Sequence, residues 1–230
     1  MKTIVITGAS KGIGFETALS LLEQDINVVA IARSTDQLKQ LKSEASSPNL
    51  TLITADVTNA EDLKKIIAEI EDIGMVDGLI NNAGMVLNKP FSETTSKEWK
   101  AVFDVNFFAP VHLIKLMKPF FRKDSHIVNI SSMGGFQGSD KFSGLSAYST
   151  AKGALAILSE CLSTEFSSSR IAVNCLCLGA VQTKMLEKAF PGYQAPVQPN
   201  EMGSFISDFV LNAHRFMNGK VIPVSLNNPE

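Results

Sequence analysis

The chain has 230 residues, 45% hydrophobic and 19% charged, and its 21 Lys and Arg against 23 Asp and Glu leave a formal net charge of -2. That supplies one sizeable α/β core, excludes intrinsic disorder as the main state, and leaves no global basic field for nucleic acid. No run of about 18 uncharged apolar residues exists to span a membrane, and three cysteines make no disulfide framework, so a reducing cytoplasm is the simplest location.

Short β-branched runs alternate with longer amphipathic stretches. Residues 3–7 read as a strand, too short for a signal peptide's core, and 12–24 as a helix. Strands follow at 27–32 and 50–55, with helices at 35–45 and 60–73. Residues 77–81 read as a strand. Residues 96–121 read as one long helix, which Pro110 should bend and Pro119 should end. Next come a strand at 125–131, a helix at 147–166, a strand at 170–177 and a short last strand at 220–224. The stretch 183–200, with Pro191, Pro196 and Pro199, reads as a substrate-side loop or lid. The strands are apolar almost throughout, which indicates cover on both faces. The expected fold is α/β: a single doubly wound Rossmann-type domain over 1–230. Its seven-stranded sheet is mostly parallel, with helices on both faces.

The segment from Thr7 to Gly14, TGASKGIG, joins the first strand to the first helix. Gly8, Gly12 and Gly14 permit a tight turn and close approach to a pyrophosphate, and the helix start offers free N–H groups. The second strand ends at Ala32, Arg33 and Ser34, where a carboxylate would favour a free ribose hydroxyl. Arg33 and Lys11 offer two cations there instead. They suit a 2′-phosphate, so NADP(H) is expected in preference to NAD(H).

Tyr148 and Lys152 are four apart at the start of a predicted helix, on one face. A nearby ammonium would lower the phenol's pKa toward neutrality and let it act as acid or base. Ser131 and Ser132 end the preceding strand, and Asn81, Asn82, Ala83 and Gly84 end another. Asn106 lies in an apolar helical segment, as either a structural polar plug or the holder of a water in a proton path.

These residues form an ordered set: TGASKGIG, Asp56-Val57, NNAG at 81–84, Asn106, NISS at 129–132, YSTAK at 148–152, and the segment from Leu178 to Thr183. The set resembles the short-chain dehydrogenase/reductase superfamily, in its compact single-domain branch. The resemblance implies a catalytic group of Asn106, Ser132, Tyr148 and Lys152. Ser132 would orient a carbonyl, and Tyr148 would exchange a proton with its oxygen. Lys152 would lower the tyrosine's pKa and bond the nicotinamide ribose, and Asn106 would position a water. It also implies a cofactor-binding set of Gly8, Ser10, Lys11, Gly12, Ile13, Gly14, Arg33, Ser34, Asp56, Val57, Asn82, Ala83, Gly84, Tyr148, Lys152, Gly179, Val181 and Thr183. In that set Asp56 and Val57 contact adenine, Asn82, Ala83 and Gly84 line ribose, and Val181 and Thr183 hold the carboxamide. The implied activity is reversible, NADP(H)-dependent hydride transfer between nicotinamide and a carbonyl or secondary alcohol in a homo-oligomer, either dimer or tetramer. The alternative is a catalytically silent NADP(H)-sensing regulatory or scaffold protein. The expected partner is a small carbonyl or alcohol substrate, with no metal, nucleic acid or membrane.

The chain departs from the family pattern in four places, one of them a short stretch after Thr183 that implies a shallow or open substrate pocket. Leu178 stands where the family usually has proline. Ser132 and Tyr148 are 16 positions apart, a longer spacing than usual, with the extra residues in 138–146. The residues after the last strand, 225–230, lack the family's common glycine pair. Cys175 and Cys177 read as core residues, and His112, His126 and His214 as structural or surface residues. Phe142 and Tyr193 are expected to border the substrate.

Overall fold

Strand β1 (Thr3–Thr7) is buried at every position. Its side chains alternate, so Ile4 and Ile6 enter a core on one side of the sheet and Val5 a core on the other. In β2 (Asn27–Ala32), Val28 and Ala30 join the side of Ile4, while Val29 and Ile31 join that of Val5. β3 (Leu50–Thr54), β4 (Val76–Asn81), β5 (Phe121–Ser132), β6 (Ile171–Leu178) and β7 (Val221–Val224) complete the sheet. Among the described residues it has seven strands in the order β3-β2-β1-β4-β5-β6-β7, and every pairing between them is parallel. This is a computed structural model, and it describes residues 1–226.

Helices α1 (Gly12–Glu23), α2 (Thr35–Ala45) and α8 (Pro199–Asn212) cover the Ile4 side with Leu21, Leu38, Ile206 and Phe209. α3 (Ala60–Ile73) and α5 (Ala109–Met117) cover the other side with Ile66, Ile70, Leu113 and Met117. The chain runs outward from β1 through β2 to β3, then restarts beside β1 at β4. That reversal opens a crevice past the carboxyl ends of β1 and β4, the usual ligand position in such sheets.

The single long helix expected over 96–121 is broken. α4 (Ser96–Phe103) runs into a π turn, Asp104–Phe108, before α5 begins. Pro110 stands two residues past this turn, inside a helical run that continues from α4, and Pro119 falls in the short 3-10 turn that ends it. Phe121 already belongs to β5, which starts four residues earlier than expected. The stretch 183–200 is less irregular than its prolines suggest. It contains α7 (Lys184–Ala189), a bridge between Val181 and Val197, and the first turn of α8.

Cys175 and Cys177 are buried against Met133 and Ala156. His126 is fully buried between Val210 O (3.1 Å from Nδ1) and Asn174 Nδ2 (2.9 Å from Nε2). Burial pushes its pKa down to about 4, so it is a neutral structural ring at neutral pH. Among the described residues no helix is long and apolar enough to cross a membrane. The absence of a glycine pair near the C-terminus concerns residues that lie partly outside the described ones.

Candidate active site

The turn out of β1 places Gly8 at φ +69, a left-handed backbone that side chains resist. Its N–H donates to Ile31 O at 2.8 Å. A Cβ on Gly8 would lie 2.9 Å from Ala83 Cα, and one on Gly14 would lie 2.5 Å from Gly8 O and press on Asn82 Nδ2. Lys11 is the N-cap of α1 and provides no side-chain cap. The first-turn N–H groups of α1 are therefore left for a ligand.

Thr7 and Asn82 lock this loop. Asn82 N and Ala83 N donate to Thr7 Oγ1 at 3.1 and 3.0 Å, and Asn82 Nδ2 donates to Thr7 O at 3.0 Å and Gly8 O at 3.2 Å. The Asn82 amide hydrogens thus hold the glycine loop. Thr7 was not singled out from sequence, although its place at the strand end before the first glycine was a usable signal.

A cavity of about 780 Å³ occupies the crevice, a size that suits a dinucleotide with a small substrate. Its wall runs from Arg33, Ser34, Asp56 and Val57, past Gly8, Ser10, Lys11, Gly12 and Ile13, to Asn82, Ala83 and Gly84. It continues to Ser132, Tyr148 and Lys152, then to Gly179, Val181 and Thr183. Two expected residues stand behind the wall: Gly14, packed on the loop, and Asn106, which is fully buried. Gln37, Phe142 and Tyr193 also line the cavity.

At one end, the exposed Arg33 guanidinium lies 3.8 Å from Asp56 Oδ2. Burial would raise the Asp56 pKa, but hydrogen bonds from Thr58 N–H and hydroxyl, with Arg33 beside them, bring it down. Ser34 Oγ caps α2 by accepting from Gln37 N at 3.4 Å.

At the other end, α6 (Ser146–Glu165) carries Tyr148 in its first turn and Lys152 one turn later. The tyrosine ring packs against Val102, Ala147 and Ala151. The Ser132 side chain lies near the Tyr148 hydroxyl and favours its ionised form, while Ser132 Oγ accepts from Gly134 N at 3.2 Å. Lys152 Nζ donates to Ile130 O at 2.7 Å, and Ser131 Oγ donates to Lys152 O at 2.8 Å, so the end of β5 holds both ends of the lysine. Burial brings the Lys152 pKa down to about 8. Burial also raises the Tyr148 pKa, and the nearby Ser132 side chain offsets only part of that. This reverses the expected direction. The ammonium is bonded to a backbone carbonyl and lies 5.9 Å from the ring centroid.

Asn106 sits in the π turn. Its Nδ2 donates to Met85 O and Val102 O, both at 2.8 Å, and its Oδ1 accepts from Met85 N at 3.2 Å. The π turn loosens the helical ladder and leaves the Val102 carbonyl to the side chain. Asn106 thus pins the segment after β4. A Cβ on Gly84 would lie 3.0 Å from Asn106 Oδ1 and 3.5 Å from Lys152 Nζ, so both polar atoms border that glycine. A buried relay supports the same region: Asn81 Nδ2 donates to Asn129 Oδ1 at 2.8 Å, and Asn129 Nδ2 to Ser159 Oγ at 2.9 Å.

Leu178 extends β6 by one residue and pairs with Val224. Gly179 N then donates to Val224 O at 2.8 Å. Thr183 Oγ1 caps α7 by accepting from Leu186 N at 3.2 Å, which leaves its own O–H free to donate into the cavity.

The sequence profile of the short chain dehydrogenase family matches residues 2–194. A benzil reductase ((S)-benzoin forming) of Saccharomyces cerevisiae is 31% identical over 192 residues, covering 80% of this chain and 73% of its own. A ketoacyl reductase of Nostoc is 32% identical over 190 residues, covering 80% of this chain and 65% of its own. A Brucella melitensis structure described as a short-chain dehydrogenase/reductase (glucose/ribitol dehydrogenase) superposes with a TM-score of 0.90 at 27% identity. That alignment covers 100% of this chain and 97% of the other. With its parallel sheet, its glycine turn and the Ser132, Tyr148 and Lys152 cluster, the chain belongs to the short chain dehydrogenase family.

Proposed function

We propose that the protein is an NADP(H)-dependent carbonyl reductase, with reversible hydride transfer between nicotinamide and a ketone or secondary alcohol. The observation that carries this reading is that Ser132, Tyr148 and Lys152 stand together on the wall of a cavity that also contains the glycine turn. When bound, the dinucleotide supplies the hydride. The Ser132 hydroxyl donates to the carbonyl oxygen and fixes its position. The Tyr148 phenol gives its proton to that oxygen as negative charge develops there. Its raised pKa keeps it protonated, the form needed to reduce a carbonyl. Lys152 Nζ, fixed on Ile130 O and bordering Gly84, stands where it can donate to the nicotinamide ribose. The relatives in yeast and Nostoc are both named as reductases, which agrees with this direction.

Lys11 and Arg33 on the cavity wall, with Ala32 rather than a carboxylate ending β2, favour a 2′-phosphate. The Arg33 contact with Asp56 is long and exposed, so it is cheap to exchange for a phosphate. Rates with a ketone, measured using NADPH and NADH, test both parts of the reading. The native enzyme should turn over and prefer NADPH. Arg33→Asp should lower the NADPH/NADH ratio of kcat/KM by about tenfold or more, the worth of a charged hydrogen bond. An unchanged ratio contradicts the NADP assignment, and cofactor binding without turnover of any ketone would favour the silent sensor instead.

A further inference from the structure

We infer that the substrate end of the cavity is a slot for a flat, uncharged aryl ketone and that Asn88 latches the slot closed; this rests on the carbonyl-reductase reading. Beyond Tyr148 the wall is formed by Val86, Phe142, Leu145, Met185, Phe190 and Tyr193. The Phe142 and Phe190 rings meet edge to face, with centroids 5.9 Å apart and planes at 64°. Such a pair offers a ring face and a ring edge to a third aromatic group. It offers nothing to a carboxylate or phosphate.

Apart from Lys152, whose Nζ is tied to Ile130 O at 2.7 Å, the charged residues of the wall lie elsewhere. Arg33, Lys11 and Asp56 stand at the glycine-loop end. Lys184 begins α7, about 9 Å along the helix from Phe190. Lys141, in the same loop as Phe142, is turned back on its own backbone and donates to Phe136 O at 2.8 Å and Ser139 O at 2.9 Å.

The two phenylalanines come from separate segments, and Asn88 joins them. Its Nδ2 donates at 2.8 Å to the carbonyl of Ala189, the residue before Phe190. Its Oδ1 lies against Gly144, where a Cβ would collide with it and would lie 3.2 Å from Lys89 N. Lys89 N donates to Gly144 O at 2.9 Å. The latch is anchored from behind, because Lys89 Nζ bonds both carboxylate oxygens of Glu98 in α4 at 2.9 and 3.0 Å. Asn88 is thus a positioning residue that fixes how the two rings meet and the wall they present to the cavity.

Kinetics with benzil and with butanedione, an aryl and an aliphatic diketone, test the proposal on the NADPH-loaded protein. The native enzyme should prefer benzil by about tenfold in kcat/KM, and Phe190→Ala should remove about that preference while leaving butanedione within about twofold. Asn88→Asp keeps the side chain's size but loses the donor to Ala189 O. It should raise KM for benzil about fivefold with kcat and NADPH affinity nearly unchanged. Equal rates on the two ketones in the native enzyme, or equal losses on both in Phe190→Ala, overturn the slot and leave the reductase reading standing. Titration calorimetry with benzil separates the remaining cases. Binding that Phe190→Ala weakens, without turnover of either ketone, upholds the slot and rejects the reductase reading. No benzil binding overturns the slot.

Discussion

Tyr148→Phe is expected to cut carbonyl turnover by about a thousandfold while leaving NADPH affinity within about twofold, the range expected for loss of a positioned general acid. The ring itself packs against Val102, Ala147 and Ala151, and phenylalanine keeps those contacts. Only the hydroxyl, beside Ser132, is removed. Lys152 stays held by Ile130 O and by Ser131, so the rest of the site keeps its shape. Rate and binding must therefore separate. Steady-state turnover together with a fluorescence titration of NADPH reads both. Turnover within tenfold of the native rate would mean that another group, or water, supplies the proton. Equal loss of rate and binding would mean that the hydroxyl shapes the cofactor site rather than the chemistry.

Gly14→Ala should be comparably damaging for a different reason. The added carbon would lie 2.5 Å from Gly8 O and press on Asn82 Nδ2, and one of the two is backbone that cannot rotate away. Relief requires the glycine loop to move off α1. That movement breaks the bonds from Asn82 Nδ2 to Thr7 O and Gly8 O. Overpacking of this kind costs about 1–3 kcal/mol, and the displaced loop no longer presents the start of α1. The expected outcome is at least about a tenfold loss of NADPH affinity with a lower urea midpoint. Unaltered affinity would show that the turn does not hold the pyrophosphate. Ser10→Ala removes a hydroxyl from the same wall without crowding the loop, so it should leave the urea midpoint unchanged.

The strands were legible because burial on both faces leaves a nearly continuous apolar run, as in Ile4-Val5-Ile6. Tyr148 and Lys152 were legible because four-residue spacing on a helix is local geometry. What escaped depends on partners distant in the chain. The π turn is held by Asn106 bonding Met85, 21 positions away, and no local pattern announces it. Helix α8 carries a usable apolar spacing in Met202, Ile206 and Phe209, but Gly203 and Pro199 disguise it. The glycine is there because α8 lies against α1, where a Cβ would be 2.7 Å from the Glu16 carbonyl carbon. The direction of the Tyr148 shift also escaped. Spacing places a lysine on the same face, but only the fold shows that its ammonium bonds Ile130 O. The Asn88 latch joins three loops and has no local signature at all.

The most direct test of the central claim follows the hydride itself. NADPH labelled with deuterium on both faces of the nicotinamide's transferring carbon is incubated with the native protein and either benzil or butanedione, and the alcohol is analysed by mass spectrometry. A ketone reductase built on Ser132, Tyr148 and Lys152 must place one deuterium on the carbinol carbon of the product, with the hydroxyl proton exchanging with solvent. Unlabelled alcohol, or no alcohol from either ketone, would contradict the account.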